Sequence, residues 1–169
     1  VCSSAASDVY KRQVKELELD EIVDILQNLP EERMNKILSN MSLVDRKRIE
    51  IGLTFPDNTA GGLLNTDVIS VRPNNSINEV ISYLRDQSDL PENTDKIFVV
   101  NNENEYLGEL LISKIITSKP TMLVREIMET EFLPIDADLD DKEVATLFER
   151  NDLISSPVVD KDGQLIGRI

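Results

Sequence analysis

Aspartates at alternating positions form the most metal-like motif of this chain. Asp136, Asp138 and Asp140 are spaced like the first ligands of an EF-hand calcium loop, in which carboxylate oxygens surround the ion. The rest of that motif is absent, because its sixth position is Asp141 instead of Gly and its twelfth is Leu147 instead of Glu. Asp140 is also well placed to cap a following helix. We therefore do not expect calcium binding here.

The composition excludes several kinds of catalytic site. The chain has no histidine, which excludes Ser-His-Asp triads, histidine acid–base catalysis and the usual histidine-containing zinc sites. Cys2 is the only cysteine, so there is no internal disulfide and no CxxC site, and a reducing compartment fits. No pair of nucleophile and base can be assembled, and we expect a protein that is not an enzyme.

The charge of the chain points to cations as partners. Thirty-two acidic residues against 18 basic ones give a formal net charge of −14. Such a surface repels nucleic acid phosphates and anionic lipid heads, so we expect no nucleic acid partner. Hard cations bind carboxylate and carbonyl oxygens and are its natural partners. From the charge alone, simple solubility is the favoured explanation.

The length of 169 residues has room for one ordinary domain or two small ones. Apolar residues make up 40% and aromatic residues 4%, so the core must consist of Leu, Ile and Val. No apolar run approaches the ~20 residues that cross a bilayer, and we expect this part of the chain to be soluble. Residues 1–13 show no clear period and read as a tail or an artefact.

Residues 14–54 predict short helices. Apolar residues from Leu19 to Leu29 recur at helical spacing, and Pro30 is well placed to open the next helix. Ser42 is expected to cap a third helix. The Pro- and Gly-containing residues 55–63 then predict a linker, in which Thr59-Ala-Gly-Gly62 acts as a flexible joint rather than a phosphate cradle.

The rest of the chain contains an internal repeat. The segments LNTDVISV (64–71) and METEFLPI (128–135) lie 64 residues apart, as do SINEV (76–80) and DDKEV (140–144), two capping-box signatures. The later segments VVN (99–101) and VVD (158–160), like YLG (106–108) and LIG (165–167), lie 59 apart. We predict two copies of strand, helix, strand, turn, strand, with the second copy ending before its last helix.

This repeat resembles the CBS domain, a module that works in pairs and has β-α-β-β-α order. The predicted fold class is therefore α+β: a short α-helical superhelical domain followed by a CBS pair. The predicted bounds are 14–54 for the helical domain, 55–63 for the linker, 64–120 for the first CBS module and 121–169 for the truncated second one.

The segments before the repeat resemble the MgtE family of magnesium transporters. FPDNTAGGLL (55–64) is similar to that family's linker, and LDEIVDIL (19–26) with LPEE (29–32) is similar to its helical repeats. NDL (151–153) before PVVD (157–160) is similar to its second CBS module. The departures are a shorter helical domain, a truncated CBS pair and no transmembrane domain after it.

The resemblance implies Mg²⁺ ions between the helical domain and the CBS pair. The residues carried over by position are Asp20 and Asp24 on the helical side and Asp152, Asp160 and Asp162 on the CBS side. Asp20 and Asp24 are four residues apart and share one helix face, where a divalent ion would relieve their repulsion. The alternative is that all five are solvated surface acids or caps.

The expected function is the cytosolic Mg²⁺-sensing region of a magnesium transporter, in which Mg²⁺ bridges acidic faces and favours the closed state. The implied partners are Mg²⁺, a second copy through the CBS domains and a transmembrane domain, at the cytoplasmic face of the cell membrane. An adenine-nucleotide-sensing CBS module of another enzyme or channel is the main alternative. Ser113 is the candidate contact for it, although no Asp follows three residues later. An acidic protein-interaction domain is a third class.

Overall fold

The structure, a computed structural model, describes residues 22, 25, 26, 28–87, 90 and 94–169. Asp20, Asp24 and the predicted tail over residues 1–13 lie outside these residues. Helices and two small sheets make up the described chain, and the α+β class predicted from the sequence is confirmed. None of the described helices has the length and apolarity that crossing a bilayer requires.

The helical part contains α1 (Glu31–Leu38) and α2 (Leu43–Gly52). Pro30 stands immediately before α1, and Glu31 and Glu32 lie in its first turn, where their charge suits the positive end of the helix dipole. Ile49 of α2 is fully buried and packs with Leu38 of α1. The helices are too short to persist alone in water, so this shared core is what stabilises them.

The first repeat contains β1 (Ser70–Val71), α3 (Ile77–Asp86), β2 (Lys96–Val100), β3 (Tyr106–Leu111) and α4 (Ile112–Thr117). Its sheet has the order β1-β2-β3, with β1 parallel to β2 and β3 antiparallel to it. The apolar residues of β2 are buried throughout, because the helices cover one side of the sheet and the other repeat covers the opposite side.

The second repeat follows with α5 (Val124–Ile127), β4 (Ile135–Asp136), α6 (Asp141–Asn151), β5 (Pro157–Val159) and β6 (Leu165–Arg168). Its sheet has the order β4-β5-β6 with the same parallel and antiparallel pairings as the first sheet. The two copies predicted from the sequence are therefore present as two sheets of one topology.

The register of the two sheets is the same. Val71 of β1 pairs with Val99 of β2, and Ile135 of β4 pairs with Val158 of β5. These are the pairs that the two offsets in the sequence make equivalent. Each sheet also has a register shift directly after the central valine. Val99 and Val158 thus occupy equivalent strands, as predicted.

The helix caps differ between the repeats. Ser76 and Glu79 form the predicted capping box at α3, in which the Ser76 hydroxyl accepts from the Glu79 N–H and the Glu79 carboxylate accepts from the Ser76 N–H. At α6 the Asp140 carboxylate accepts from the N–H of Lys142 instead, 3.0 Å away. Asp140 is therefore a cap, as expected, but its bond goes to the second residue of the helix rather than to Glu143.

The segment before each repeat crosses to the other repeat. Asn65, before β1, forms an antiparallel bridge with Arg168 of β6, and Glu129, before β4, forms the equivalent bridge with Glu109 of β3. The same exchange joins Thr59 to Asp140 and Leu123 to Ser76. Reciprocal contacts of this kind are what two repeats related by an approximate twofold axis make.

Residues 59–62 are part of the segment that crosses to the second repeat. They are therefore not the flexible joint that their glycines suggested. The N–H of Ala60 donates to the carbonyl of Leu139, and the N–H of Gly61 donates to that of Ala137, both at 2.8 Å. Ala60 is fully buried, and a Cβ on Gly61 would lie 2.2 Å from the Phe55 ring. The glycine is needed for close packing here.

Candidate functional site

The turn between β5 and β6 holds two of the predicted metal ligands. The Oδ1 atom of Asp160 accepts bonds from the backbone N–H of Asp162 at 3.0 Å and of Gln164 at 2.9 Å. Asn101 accepts the equivalent two bonds in the turn of the first repeat. Asp160 therefore has a local structural role that a neutral amide fills in the other repeat, and its negative charge is not needed for that role.

A lysine lies between these two acids in the chain. The Nζ of Lys161 is 3.0 Å from the Oδ2 of Asp138, and this hydrogen bond and ion pair raise the pKa of Lys161. The Oδ1 of Asp136 in turn accepts from the N–H of Asp138. Asp138 is thus held by the Lys161 ammonium, and Asp136, at the end of β4, accepts a backbone bond.

Asp152 lies away from this turn. It ends α6 in the left-handed conformation, with φ of 50°, and its N–H donates to the carbonyl of Phe148. Asp152 precedes β5 and Asp160 follows it, so the two side chains lie at opposite ends of that strand. The structure brings Asp160 and Asp162 together and leaves Asp152 apart from them.

The described part of the chain contains no group of three or more Asp, Glu or Cys side chains arranged to hold a metal ion. Mg²⁺ does not require such a cage, because it keeps several waters and binds one or two protein carboxylates. The two bonds that Asp160 accepts fall on one oxygen, and Asp162 is exposed beside it. One carboxylate of this kind is as much as a hydrated Mg²⁺ requires of a protein.

A small, open cleft lies at the crossing of the two repeats. Two cationic side chains and one aspartate line it, although the chain as a whole has a net charge of −14. Its lining consists of Asp67, Ile69, Thr94, Lys96, Phe98 and Arg168.

Lys96 takes part in a buried network beside this cleft. Its Nζ lies 3.1 Å from the Oε2 of Glu109 and 3.9 Å from the Oδ2 of Asp95, and the side chains of Lys96 and Glu109 are 8% and 2% exposed. The Ser155 hydroxyl of the second repeat donates to Asp95 at 2.7 Å. The Phe132 ring lies 5.8 Å from the Lys96 ammonium, within reach of a cation–π contact.

Tyr106 completes the surroundings of Glu109. Its ring packs edge-on against Phe98 with centroids 6.4 Å apart, and its buried hydroxyl meets no hydrogen-bonding partner within the described residues. Burial, and then the negative charge of Glu109, raise the pKa of this phenol.

Sequence reasoning did not identify Lys96, Glu109 or Arg168. One signal was available: Lys96 and Glu109 are charged residues within apolar strands, where a charge is buried only when it is paired. Ser113, the candidate nucleotide contact, is instead exposed on α4 and does not line this cleft.

Two protein-family models match the chain. The first, described as the MgtE intracellular N domain, matches residues 4–58. The second, described as the CBS domain, matches residues 60–119 and 124–169.

Curated relatives match most of this chain. The magnesium transporter MgtE of Thermus thermophilus is 31% identical over 152 residues, which cover 88% of this chain and 34% of the relative. The magnesium transporter MgtE of Bacillus subtilis is 24% identical, covering 91% of this chain and 34% of the relative. The chain therefore spans about a third of the length of the curated relatives that it matches.

Solved structures share the fold over most of the chain. The cytosolic domain of the Mg²⁺ channel MgtE in complex with ATP has a TM-score of 0.84 and 28% identity, covering 92% of this chain and 64% of the other. The soluble part of a magnesium transporter has a TM-score of 0.83 and 27% identity, covering 91% and 60%.

Proposed function

Because the chain belongs to the CBS domain family and carries an MgtE intracellular N domain before its CBS pair, we propose that it is the Mg²⁺-sensing regulatory region of a magnesium transporter. The observation that carries the proposal is the match, over 92% of the chain, to the cytosolic domain of a Mg²⁺ channel. The chain is not an enzyme in this proposal, in keeping with relatives that are named as transporters.

The proposed mechanism starts from the charge. At −14 on 169 residues, acidic faces that approach each other repel, and closing the helical domain onto the CBS pair is costly. Mg²⁺ removes that cost locally when carboxylates from both sides enter its hydrated shell. A ligand that binds one state better shifts the population toward it, so high Mg²⁺ favours the closed arrangement and, in the whole transporter, the shut pore.

The proposed ligands are Asp20 and Asp24 on the helical side and Asp152, Asp160 and Asp162 on the CBS side. Support is strongest for Asp160 and Asp162, since they are neighbours in one turn and both bonds accepted by Asp160 use a single oxygen. Few direct ligands hold each ion, so the affinity is expected to be on the order of millimolar.

The proposal includes the assembly. A homodimer forms through the CBS pair, and the transmembrane domain of the full-length protein lies beyond it, which places this region at the cytoplasmic face of the membrane. We propose the domain bounds as expected from the sequence, with the helical domain at 14–54, the linker at 55–63 and the CBS modules at 64–120 and 121–169.

A thermal melt combined with small-angle scattering tests the sensor. MgCl₂ is compared with NaCl at matched ionic strength, because monovalent salt screens the same repulsion without bridging. Mg²⁺ at tenfold over its dissociation constant is expected to raise stability by about 1.4 kcal/mol and to reduce the radius of gyration. Equal effects of the two salts would remove the sensor and leave an acidic surface.

A second candidate function is adenine-nucleotide sensing. Its support is a solved structure with 28% identity that is in complex with ATP, and the cationic Arg168 lines the small cleft between the repeats. Titration with ATP, with and without Mg²⁺, followed by calorimetry tests this candidate. The absence of heat up to millimolar nucleotide would exclude it while leaving the response to Mg²⁺ intact.

A further inference from the structure

The hairpin turns of the two CBS repeats lie side by side. The first turn (residues 101–105) joins β2 to β3, and the second turn (residues 160–164) joins β5 to β6. An antiparallel bridge connects the last residues of the two turns, one from each repeat. The second turn carries two of the proposed Mg²⁺ ligands, Asp160 and Asp162. The first repeat is therefore in direct contact with the turn that is expected to bind the ion.

Each turn bonds to the residue that follows the other turn. The N–H of Leu165 donates to the carbonyl of Asn104 at 2.9 Å, and the N–H of Tyr106 donates to that of Gly163 at 3.0 Å. A further bond breaks this symmetry, because the Nδ2 of Asn104 also donates to the carbonyl of Leu165, at 2.7 Å. Gly163 is the equivalent of Asn104 and has no side chain with which to return this bond. Asn104 thus bonds to both the N–H and the carbonyl of one residue of the second repeat.

The backbone of Asn104 suits this role. Its φ of 66° lies in the left-handed region, which asparagine adopts more readily than most residues that have a side chain. The bond from its amide is partly buried, so its loss leaves the Leu165 carbonyl with a poorer exchange for water. Asn104 therefore fixes the backbone of Leu165 from the first repeat.

Leu165 is in turn the neighbour of a residue that holds a proposed ligand. The N–H of Gln164 donates to the Oδ1 of Asp160 at 2.9 Å, and the N–H of Asp162 donates to the same oxygen at 3.0 Å. A movement of Leu165 displaces Gln164 and with it one of these two bonds. Groups that are already held in the binding geometry save the cost of ordering them when the ion arrives.

We propose that Asn104 is a positioning residue for the second turn, so that the first CBS repeat helps to set the Mg²⁺ affinity of ligands in the second. The inference rests on the proposed function, because that function assigns the ion to Asp160 and Asp162. Asn104 is not itself a ligand and acts through Leu165 and Gln164 on the orientation of the Asp160 carboxylate. Loss of its side chain keeps both ligands but lets the turn adopt more arrangements, which weakens binding of the ion.

A titration with MgCl₂ tests the inference, with NaCl of matched ionic strength as the reference and the NMR shifts of the Asp162 and Gln164 amides as the readout. Asn104→Gly retains access to the left-handed conformation and both backbone bonds, but it removes the amide donor. It is expected to raise the Mg²⁺ dissociation constant about threefold, which is a small effect for one hydrogen bond. Asn102→Gly is the matched control, because Asn102 is exposed in the same turn. It is expected to leave the constant unchanged.

A swap of the two equivalent residues separates positioning from general stability. Gly163→Asn in the Asn104→Gly background restores one amide donor, which now extends from the second turn toward the Tyr106 carbonyl. A Cβ on Gly163 meets no atom of the described residues within 4 Å, so there is space for the side chain. The swap is expected to return the dissociation constant to near the wild-type value.

Two results of these measurements would overturn the positioning role. A merely structural Asn104 predicts a lower melting temperature for Asn104→Gly together with an unchanged dissociation constant. A constant that is raised in Asn104→Gly but not restored by the swap would assign the loss to the freer glycine backbone instead of the amide.

The wild type decides the proposed function separately. Equal shifts in MgCl₂ and in matched NaCl would remove Asp160 and Asp162 from the ligand set. The positioning role is then decided without the ion, by amide hydrogen exchange of Asp162 and Gln164 in Mg²⁺-free buffer. Asn104→Gly is expected to exchange these amides faster than the control variant by the same factor, and equal rates in the two variants overturn the inference.

Discussion

The ammonium of Lys96 lies 3.1 Å from the carboxylate of Glu109 on the neighbouring strand, and the two side chains are almost entirely buried. Each charge has left water, so each depends on the other for compensation. Lys96 lines the cleft from the central strand β2 of the first sheet, and Glu109 lies beside it on the edge strand β3. A substitution of either residue therefore changes the charge and the packing of this region together.

Removing one member of this pair is expected to cost more than removing both. Lys96→Met leaves an uncompensated buried carboxylate and should lower the free energy of unfolding by about 3–5 kcal/mol. The double variant Lys96→Met/Glu109→Leu replaces the pair by apolar groups and should recover most of that loss. Urea unfolding measures both variants. Equal losses in the single and double variants would mean that the pair is not electrostatically coupled.

The turn of the first repeat indicates which substitution Gly163 should tolerate, because Asn104 is the equivalent residue there. They occupy the same position in the turns of the two repeats, with φ of 76° and 66°. Gly163→Asn should therefore change the free energy of unfolding by less than about 1 kcal/mol, because asparagine adopts the left-handed conformation readily.

Gly167→Ala is the contrasting variant. Its Cβ would lie 2.4 Å from the Leu64 side chain and 2.6 Å from the Asn65 carbonyl oxygen, so overpacking should cost about 1–3 kcal/mol. Thermal melts compare it with Gly163→Asn. A Gly163→Asn variant as damaged as Gly167→Ala would show that the two turns are not equivalent.

Asp160 can be tested as a ligand separately from its role in the turn. Asp160→Asn keeps an oxygen for the two backbone bonds, as Asn101 does in the first repeat, and should leave Mg²⁺-free stability within about 0.5 kcal/mol of wild type. It should reduce the stabilisation by Mg²⁺, because a neutral amide is a weaker ligand. Asp160→Ala should lower both quantities. Full Mg²⁺ stabilisation of Asp160→Asn in a thermal melt would remove Asp160 from the ligand set.

Glu79 predicts a specific dependence on pH. Bonds from the backbone N–H and the hydroxyl of Ser76 lower the pKa of Glu79 below its ordinary value of 4.5. A carboxylate with a lowered folded-state pKa contributes stability above its unfolded-state pKa and loses it as the pH falls through the folded-state value. The wild type should therefore lose its advantage over Glu79→Gln below about pH 4.5. Urea titrations from pH 3 to 7 measure this, and a difference independent of pH would contradict it.

The segment before each repeat bonds to the other repeat. We therefore expect slow amide hydrogen exchange at Ala60 and Gly61, although their sequence looks like a linker. The amides of Ala60 and Gly61 bond to the second repeat as those of Val124 and Arg125 bond to the first. We expect comparable protection factors for the two pairs in native-state exchange. Free exchange at Ala60 and Gly61, with protection at Val124 and Arg125, would restore the flexible joint.

Much of the repeat was predictable from the sequence. The capping signature at Ser76 and the apolar period of the following helix are local, because they join residues three or four positions apart. The two offsets in the sequence predicted that Val99 and Val158 occupy equivalent positions in their sheets, because repeated segments that fold alike keep the same register. Gly61 was misread because a glycine serves a turn or close packing equally well in a sequence.

The candidate site was less predictable. Asp160 and Asp162 were predicted by resemblance, and their closeness follows from sharing one turn. Asp152 has the same residue type, but it lies at the other end of a strand.

The sequence by itself determined the local elements, the repeat and the charge of −14, because each depends on residues close in the chain or on composition alone. The tertiary structure decided which distant groups meet. Ser155 reaches Asp95, and Asn65 bridges Arg168, across 60 residues or more of chain. Ile49 enters the core of the helical part, whereas the core against which Ile51 packs contains residues of the second repeat that lie more than 80 residues further along the chain. Such contacts depend on the packing of whole elements, and no local pattern specifies them.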